Sequence, residues 1–151
     1  MIVYRIALKI YSAKLIASGN PARWNSKDIK MIYTAQSRAL ACLENIVHRN
    51  SKGLQKNFCV LEINIPDKVK IETIEETGLV ADWKEFYKMP YTQQIGDEWI
   101  SGSKTAVLQV PSAVVSGDFN YLLNPAHKDF SSIKLLSSTS FEFDERIKNN
   151  L

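Results

Sequence analysis

Short runs of β-branched and alternating apolar residues punctuate the chain, and only one stretch repeats its apolar residues at helical spacing. The runs are IVYRIAL (2–8), MIYTA (31–35), FCVLEINI (58–65), VKIETI (69–74), AVLQVPSAVV (106–115) and SFEFD (140–144). Each reads as a strand. The helix is predicted between Ser37 and His48, where Ala39, Leu40, Leu43, Ile46 and Val47 recur on one side and Ser37 can cap the first turn. Glu44 falls beside that apolar stripe, so it can border a cleft. Strands that neither alternate with long helices nor stand alone as a sandwich predict an α+β fold with a mixed, mostly antiparallel sheet. Shorter helical pieces are predicted at DWKEFY (82–87) and TQQIGDEW (92–99), and turns at SGNPA (18–22) and NPAHKD (124–129). With 151 residues and no internal repeat or linker, the whole chain, 1–151, is expected to be one domain.

Charge and cysteine usage narrow the function. The 19 basic and 16 acidic residues are scattered. No basic block offers a track for a phosphate backbone, so direct nucleic-acid binding is not expected. Cys42 and Cys59 lie in apolar runs without ligand-spaced neighbours, which predicts buried thiols and no metal site, and fits a reducing compartment. No apolar run approaches the ~20 residues a bilayer requires, and the expectation is a soluble cytoplasmic protein. Neither GxGxxG nor GxxxxGK[ST] is present, so a bound nucleotide would not rest on a glycine-rich phosphate loop.

The stretch ARWNSKDIKMIYTAQSRALACLENIVH (22–48) sets Arg23, Tyr33 and Glu44 across a turn, a strand and a helix. Two readings stand. In one, Arg23 caps the turn, Tyr33 fills a strand face and Glu44 pairs with a surface cation such as Arg49. In the other, Arg23 grips a phosphate or carboxylate with two donors, Tyr33 stacks on a flat ring, and Glu44 stabilises a cationic transition state or orients a hydroxyl. The second suits cleavage of a nucleotide's glycosidic bond, above all where the leaving base is already cationic and needs little acid catalysis. Around this set, Trp24 is expected to pack in the core and Asn25 to fix the turn. His48 suits the helix C-terminus, His127 a turn, Trp83 and Trp99 core or interface anchoring, and Asp144 with Arg146 a structural ion pair.

Blocks spread over nearly the whole chain carry a resemblance: YRIA (4–7), ARWN (22–25), IYTAQSRALACLENIVH (32–48), LEINIPD (61–67), GDEWI (96–100), AVLQVPSAVV (106–115), NYLLNPAHKDF (120–130) and FEFDERI (141–147). In order and spacing the chain resembles the RES-domain family. The resemblance implies an NAD-binding domain similar in fold to ADP-ribosyltransferases, acting as the toxin of a bacterial toxin–antitoxin pair that depletes cellular NAD+. It implies an Xre-like helix-turn-helix antitoxin as partner, and self-association, with a homodimer expected. It assigns Arg23, Tyr33 and Glu44 as the catalytic centre, with Arg5 and Ser112 lining the pocket; Asn25 is expected beside them as a further substrate-binding residue.

On that basis NAD+ is expected, as substrate and with no metal, in a cleft between the sheet and the 37–48 helix. Arg5 and Arg23 would hold the pyrophosphate and ribose, Tyr33 would pack by the nicotinamide, and Ser112 would bond near the base or ribose. Glu44 would stabilise the oxocarbenium-like state, with water or phosphate as acceptor. Alternatives are ADP-ribosyl transfer to a macromolecule, or an inactive binding module. The family commonly has a glycine pair ahead of RWN where this chain has Pro21 and Ala22, so a turn needing a glycine-only angle would be weakened.

Overall fold

The computed structural model describes residues 1–49 and 51–150. Its strands are β1 (Ile2–Leu8), β2 (Ile32–Ala35), β3 (Phe58–Asn64), β4 (Ile71–Thr73), β5 (Val107–Pro111), β6 (Phe119–Leu123) and β7 (Lys134–Phe141). Its helices are α1 (Arg38–His48), α2 (Ser51–Leu54), α3 (Met89–Gly102) and α4 (Glu145–Asn149). All seven strands join one sheet in the order β4-β5-β6-β2-β1-β3-β7. Only the β4–β5 pair is parallel. This is the α+β class with the mixed, mostly antiparallel sheet that the strand pattern predicts.

Alternation along the strands sorts the core onto two faces. Val3, Ala7, Ile32, Cys59, Leu61, Ile63, Val107, Tyr121 and Leu123 form one buried cluster. The residues between them point the other way, where two clusters lie side by side. Ile6, Ala35, Phe58 and Val60 pack under Leu40 and Ala41 of α1. Leu108, Val110 and Leu122 pack with Trp24, Met31, Trp83 and Trp99, the last on α3. Ser37 caps α1 as predicted, its side chain accepting from the Leu40 amide at 3.1 Å. Asp144 caps α4 and takes two bonds at 2.9 Å from the Arg146 guanidinium, the expected ion pair.

Several predicted elements shift. The 106–115 run stops as a strand at Pro111 because the Ser112 hydroxyl accepts from the Val114 and Val115 amides and folds the chain into a turn. NYLLNP supplies a strand, β6, paired on both sides. Of SFEFD only Ser140 and Phe141 are strand, the end of one that starts at Lys134. DWKEFY is a turn with a single 3-10 segment at Phe86–Lys88, and the helix begun after it runs on to Gly102. Helix α1 is rotated from the predicted face. Leu40 and Ala41 are buried while Leu43 and Val47 are 41% and 56% exposed, which places Glu44 and Asn45, one turn on from the buried pair, toward the sheet.

Candidate active site

The turn carrying Arg23 is built first by Asn25. That side chain is 1% exposed, and its amide nitrogen lies at 2.9–3.0 Å from the carbonyls of Asn20, Ser26 and Ile29. Its oxygen accepts from the Tyr33 hydroxyl at 2.7 Å, and that hydroxyl in turn accepts from the Trp24 amide at 3.0 Å. Strand β2, at the centre of the sheet, thereby pins the turn through one phenol. Asn25 is a turn-fixing residue whose polar atoms are all engaged inside the protein, so the structure does not offer it to a substrate. Neither Pro21 nor Ala22 takes a positive φ; Gly19 (φ 75°) and Asp28 (φ 69°) make the left-handed bends. The turn needs no glycine at 21 or 22.

Helix α3 forms the second wall of the turn. Thr92 donates to the Arg23 carbonyl at 2.6 Å, Gln93 donates to the Ala22 carbonyl at 2.9 Å, and Asp97 accepts from the Ser26 amide at 3.0 Å. Between them Gly96 sits against the Trp24 backbone, closer than any side chain permits. TQQIGDEW therefore serves ARWN, a relation between distant blocks that spacing along the chain does not reveal. A shallow groove of about 450 Å³ between this helix and the segment at Ser26 and Ile29 is lined by Gln93 and Asp97, among others, but by none of Arg23, Tyr33 or Glu44.

The guanidinium of Arg23 is held by three consecutive carbonyls. Nη1 donates to Trp83 at 3.0 Å and Glu85 at 3.1 Å, and Nη2 donates to Lys84 at 2.8 Å. These bonds take both Nη1 hydrogens and one on Nη2, leaving the Nε hydrogen and one Nη2 hydrogen.

Glu44 reaches from α1 toward β6 and the turn after β5. Its Oε1 accepts from Asn120 Nδ2 at 2.6 Å and from the Ser112 hydroxyl at 3.1 Å, while Oε2 lies 3.7 Å from His48 Nε2. Asn120 is flanked across the sheet by Ala35, of the α1 cluster, and by Val110, of the α3 cluster. The carboxylate therefore stands where the two clusters meet. Burial raises the Glu44 pKa, but His48, Asn120 and Ser112 together outweigh it and hold the group below its ordinary value. Burial pushes the Tyr33 phenol well above its ordinary value. Burial also lowers the Arg23 pKa, against which Glu44, Glu85 and Tyr33 act in the opposite sense. The three predicted groups thus lie within one another's electrostatic reach.

Arg5 does not join them. It shares the strand face of Val3 and Ala7, pairs across from Leu61, and donates to the Ile16 carbonyl at 3.2 Å. That places it on the opposite side of the sheet from α1. Ser112 is present but 1% exposed, with its lone pairs on two amides and its proton directed to Glu44, so it orients the carboxylate and does not line an open pocket. Sequence reasoning missed Asn120, Thr92, Gln93 and Asp97. Asn120 stands in the sequence only as the first residue of the NYLLNPAHKDF block, with nothing beside it that points to Glu44. Among the described residues no group of three His, Cys, Asp or Glu could hold a metal ion, and no helix is long and apolar enough to cross a membrane.

The RES domain matches residues 2–144. A protein named Prs ADP-ribosylating toxin, from Sphingobium sp. (strain YBL2), is 38% identical over 127 residues, covering 83% of this chain and 79% of its own. A protein named Toxin Res, from Yersinia enterocolitica, is 33% identical over 153 residues, covering 98% and 100%. Among solved structures, the M. tuberculosis MbcT–MbcA toxin–antitoxin complex contains a chain with TM-score 0.74 at 20% identity, covering 99% of this chain and 87% of that one. It has the same fold.

Proposed function

This chain belongs to the RES-domain family, and from that premise we propose that it is the toxin of a toxin–antitoxin pair and breaks the bond between nicotinamide and ribose in NAD+. The observation that carries the reading is the Glu44 carboxylate, aimed by two neutral donors and held ionised by His48 together with them, with Arg23 and Tyr33 within electrostatic reach.

In this mechanism the C–N bond breaks with its electron pair passing to the nicotinamide nitrogen, which leaves neutral. Positive charge develops on the ribose. Glu44 Oε2 accepts from a ribose hydroxyl, and the carboxylate's charge interacts more strongly with the developing cation than with the neutral sugar, so the barrier falls. The Nε and remaining Nη2 hydrogens of Arg23 meet a phosphate oxygen, and the Tyr33 ring bounds the nicotinamide end. Water or inorganic phosphate completes the reaction at the ribose carbon. A partner antitoxin, of the Xre-like helix-turn-helix type, and a homodimer belong to the same proposal. The test is incubation of the purified toxin with NAD+, with and without phosphate, and identification of products by mass. Free nicotinamide with ADP-ribose or its phosphorylated counterpart is the expected result, and intact NAD+ in both conditions overturns the proposal.

One observation favours a second reading. The Sphingobium relative is named for ADP-ribosylation, a transfer that begins by breaking the same bond but ends on a macromolecule. Transfer of radiolabel from NAD+ to protein would support it over NAD+ destruction.

A further inference from the structure

We propose that Asn120 is a positioning residue for Glu44: together with Ser112 it fixes one carboxylate oxygen, Oε1, and so determines that the other, Oε2, faces the substrate. The proposal rests on the reading of Glu44 as the site's carboxylate. It begins from a shared acceptor. Asn120 Nδ2 and Ser112 Oγ both donate to Oε1, at 2.6 and 3.1 Å, and two donors on one oxygen fix the plane of the carboxylate as well as its place. Neither donor is free to turn away. The Ser112 oxygen accepts from the Val114 and Val115 amides at 3.0 and 3.1 Å, so its hydrogen is committed to Glu44. Asn120 sits in β6 with strands hydrogen-bonded on both sides, and because a carboxylate only accepts, its NH2 and not its carbonyl must face Glu44.

The chemistry of the donors matters as much as their geometry. An arginine or lysine at this place would fix Glu44 equally well but would cancel its charge. Two neutral donors leave a full negative charge for a cation that develops beside it. The other oxygen, Oε2, has the His48 imidazole at 3.7 Å, a partner longer than a hydrogen bond, and it is the oxygen the proposal gives to a ribose hydroxyl. The titratable and charged groups around Glu44 are His48 on its own helix, Arg23 on the turn before β2, and Tyr33 on β2. Asn120 belongs to a fourth element and carries no charge of its own. Replacing it therefore changes the carboxylate without adding a new titration, unless the replacement is itself acidic.

The experiment compares Asn120→Ala and the isosteric Asn120→Asp with wild type, each in a His48→Gln background so that the imidazole does not contribute. Two quantities are read. The first, carbon NMR titration of the Glu44 side-chain carboxyl, assigned by its loss in Glu44→Gln, needs no activity. Its midpoint is expected to rise in Asn120→Ala and further in Asn120→Asp, where two carboxylates share the site. The second is steady-state NAD+ turnover. Here kcat is expected to fall ~10-fold to 100-fold with KM nearly unchanged, the result of a misplaced catalytic group, and the acid limb of the rate profile should move with the midpoint. An unchanged midpoint, or an unchanged kcat, overturns the proposal. Where Asn120→Ala is poorly folded, Asn120→Ser, polar and uncharged, decides the question by the same two readouts. If NAD+ stays intact in wild type while the midpoint still rises, the reading of the reaction fails and the positioning of Glu44 stands. If wild type consumes NAD+ and Glu44→Gln does not, yet both Asn120 variants match wild type, the reverse holds.

Discussion

A Cβ placed on Gly96 would lie 1.8 Å from the carbonyl oxygen of Trp24. Helix α3 and the Arg23 turn thus touch backbone to backbone, and the bonds from Thr92, Gln93 and Asp97 are possible only because the helix axis comes this near. The glycine of GDEWI is a packing requirement of the turn, since its own φ is not left-handed.

Gly96→Ala should therefore destabilise the protein although alanine is the better helix former by ~1 kcal/mol. Backbone must move, since no flexible side chain is in the way, and overpacking of this kind costs about 1–3 kcal/mol. Thermal melting of the variant checks it, with a lower midpoint expected. A midpoint equal to wild type would mean the helix and turn are not in contact.

Arg23 and Glu44 should separate by their effect on stability. Arg23→Ala leaves the carbonyls of Trp83, Lys84 and Glu85 without their shared donor, a loss of about 0.5–1.5 kcal/mol for bonds partly open to water, and should also lower turnover. In Glu44→Gln the amide oxygen can still accept from Ser112 and Asn120, so the fold should persist near neutral pH while turnover falls ~100-fold to 1,000-fold. Denaturant unfolding and NAD+ consumption, measured on both variants, test the contrast.

Tyr33→Phe keeps the ring and removes the hydroxyl that links Asn25 to Trp24. One amide and one side-chain oxygen lose a partner, and the expected cost is about 1–3 kcal/mol. Circular dichroism melts would show it, and an unaltered melt would mean the phenol does not hold the turn.

The pH dependence follows from Glu44. Its pKa in the folded protein is held below the ordinary ~4.3 of the unfolded chain, so the folded state favours the ionised form. The stability this contributes is complete above the unfolded value and is lost as pH falls through the folded one. The stability difference between wild type and Glu44→Gln should be level near neutral pH and shrink below about pH 4.3. Equilibrium unfolding across that range reads the difference directly.

What the chain reveals by itself is local. Strands β1, β2 and β3 and the Ser37 cap follow from alternation and from one hydroxyl placed before an apolar run. The turn role of Asn25 and the burial of Trp24 follow from residue chemistry. Facing is harder. Alternation in IVYRIAL says that Arg5 opposes Tyr4 and Ile6, but not which side α1 will cover, and Arg5 fell on the other. The face of α1 departs from its apolar stripe for a related reason: Leu43 and Val47 are apolar yet exposed, while Asn45 turns inward and bonds the Ala41 carbonyl. The donors to Glu44 come from β6 and from the turn after β5, so no window of sequence contains the carboxylate together with what holds it.

Because its guanidinium already rests on the carbonyls of residues 83–85, in the proposed reaction Arg23 meets an arriving oxyanion as a fixed fork and not as a swinging arm. A free arginine would surrender up to about 2 kcal/mol of rotamer entropy on capture, whereas here that ordering was completed when the chain folded. The affinity of such a fork depends on where the 83–85 backbone holds it, so a shift of that segment, with Phe86 and Tyr87 exposed beside it, would be felt by the ligand before any contacting residue had changed.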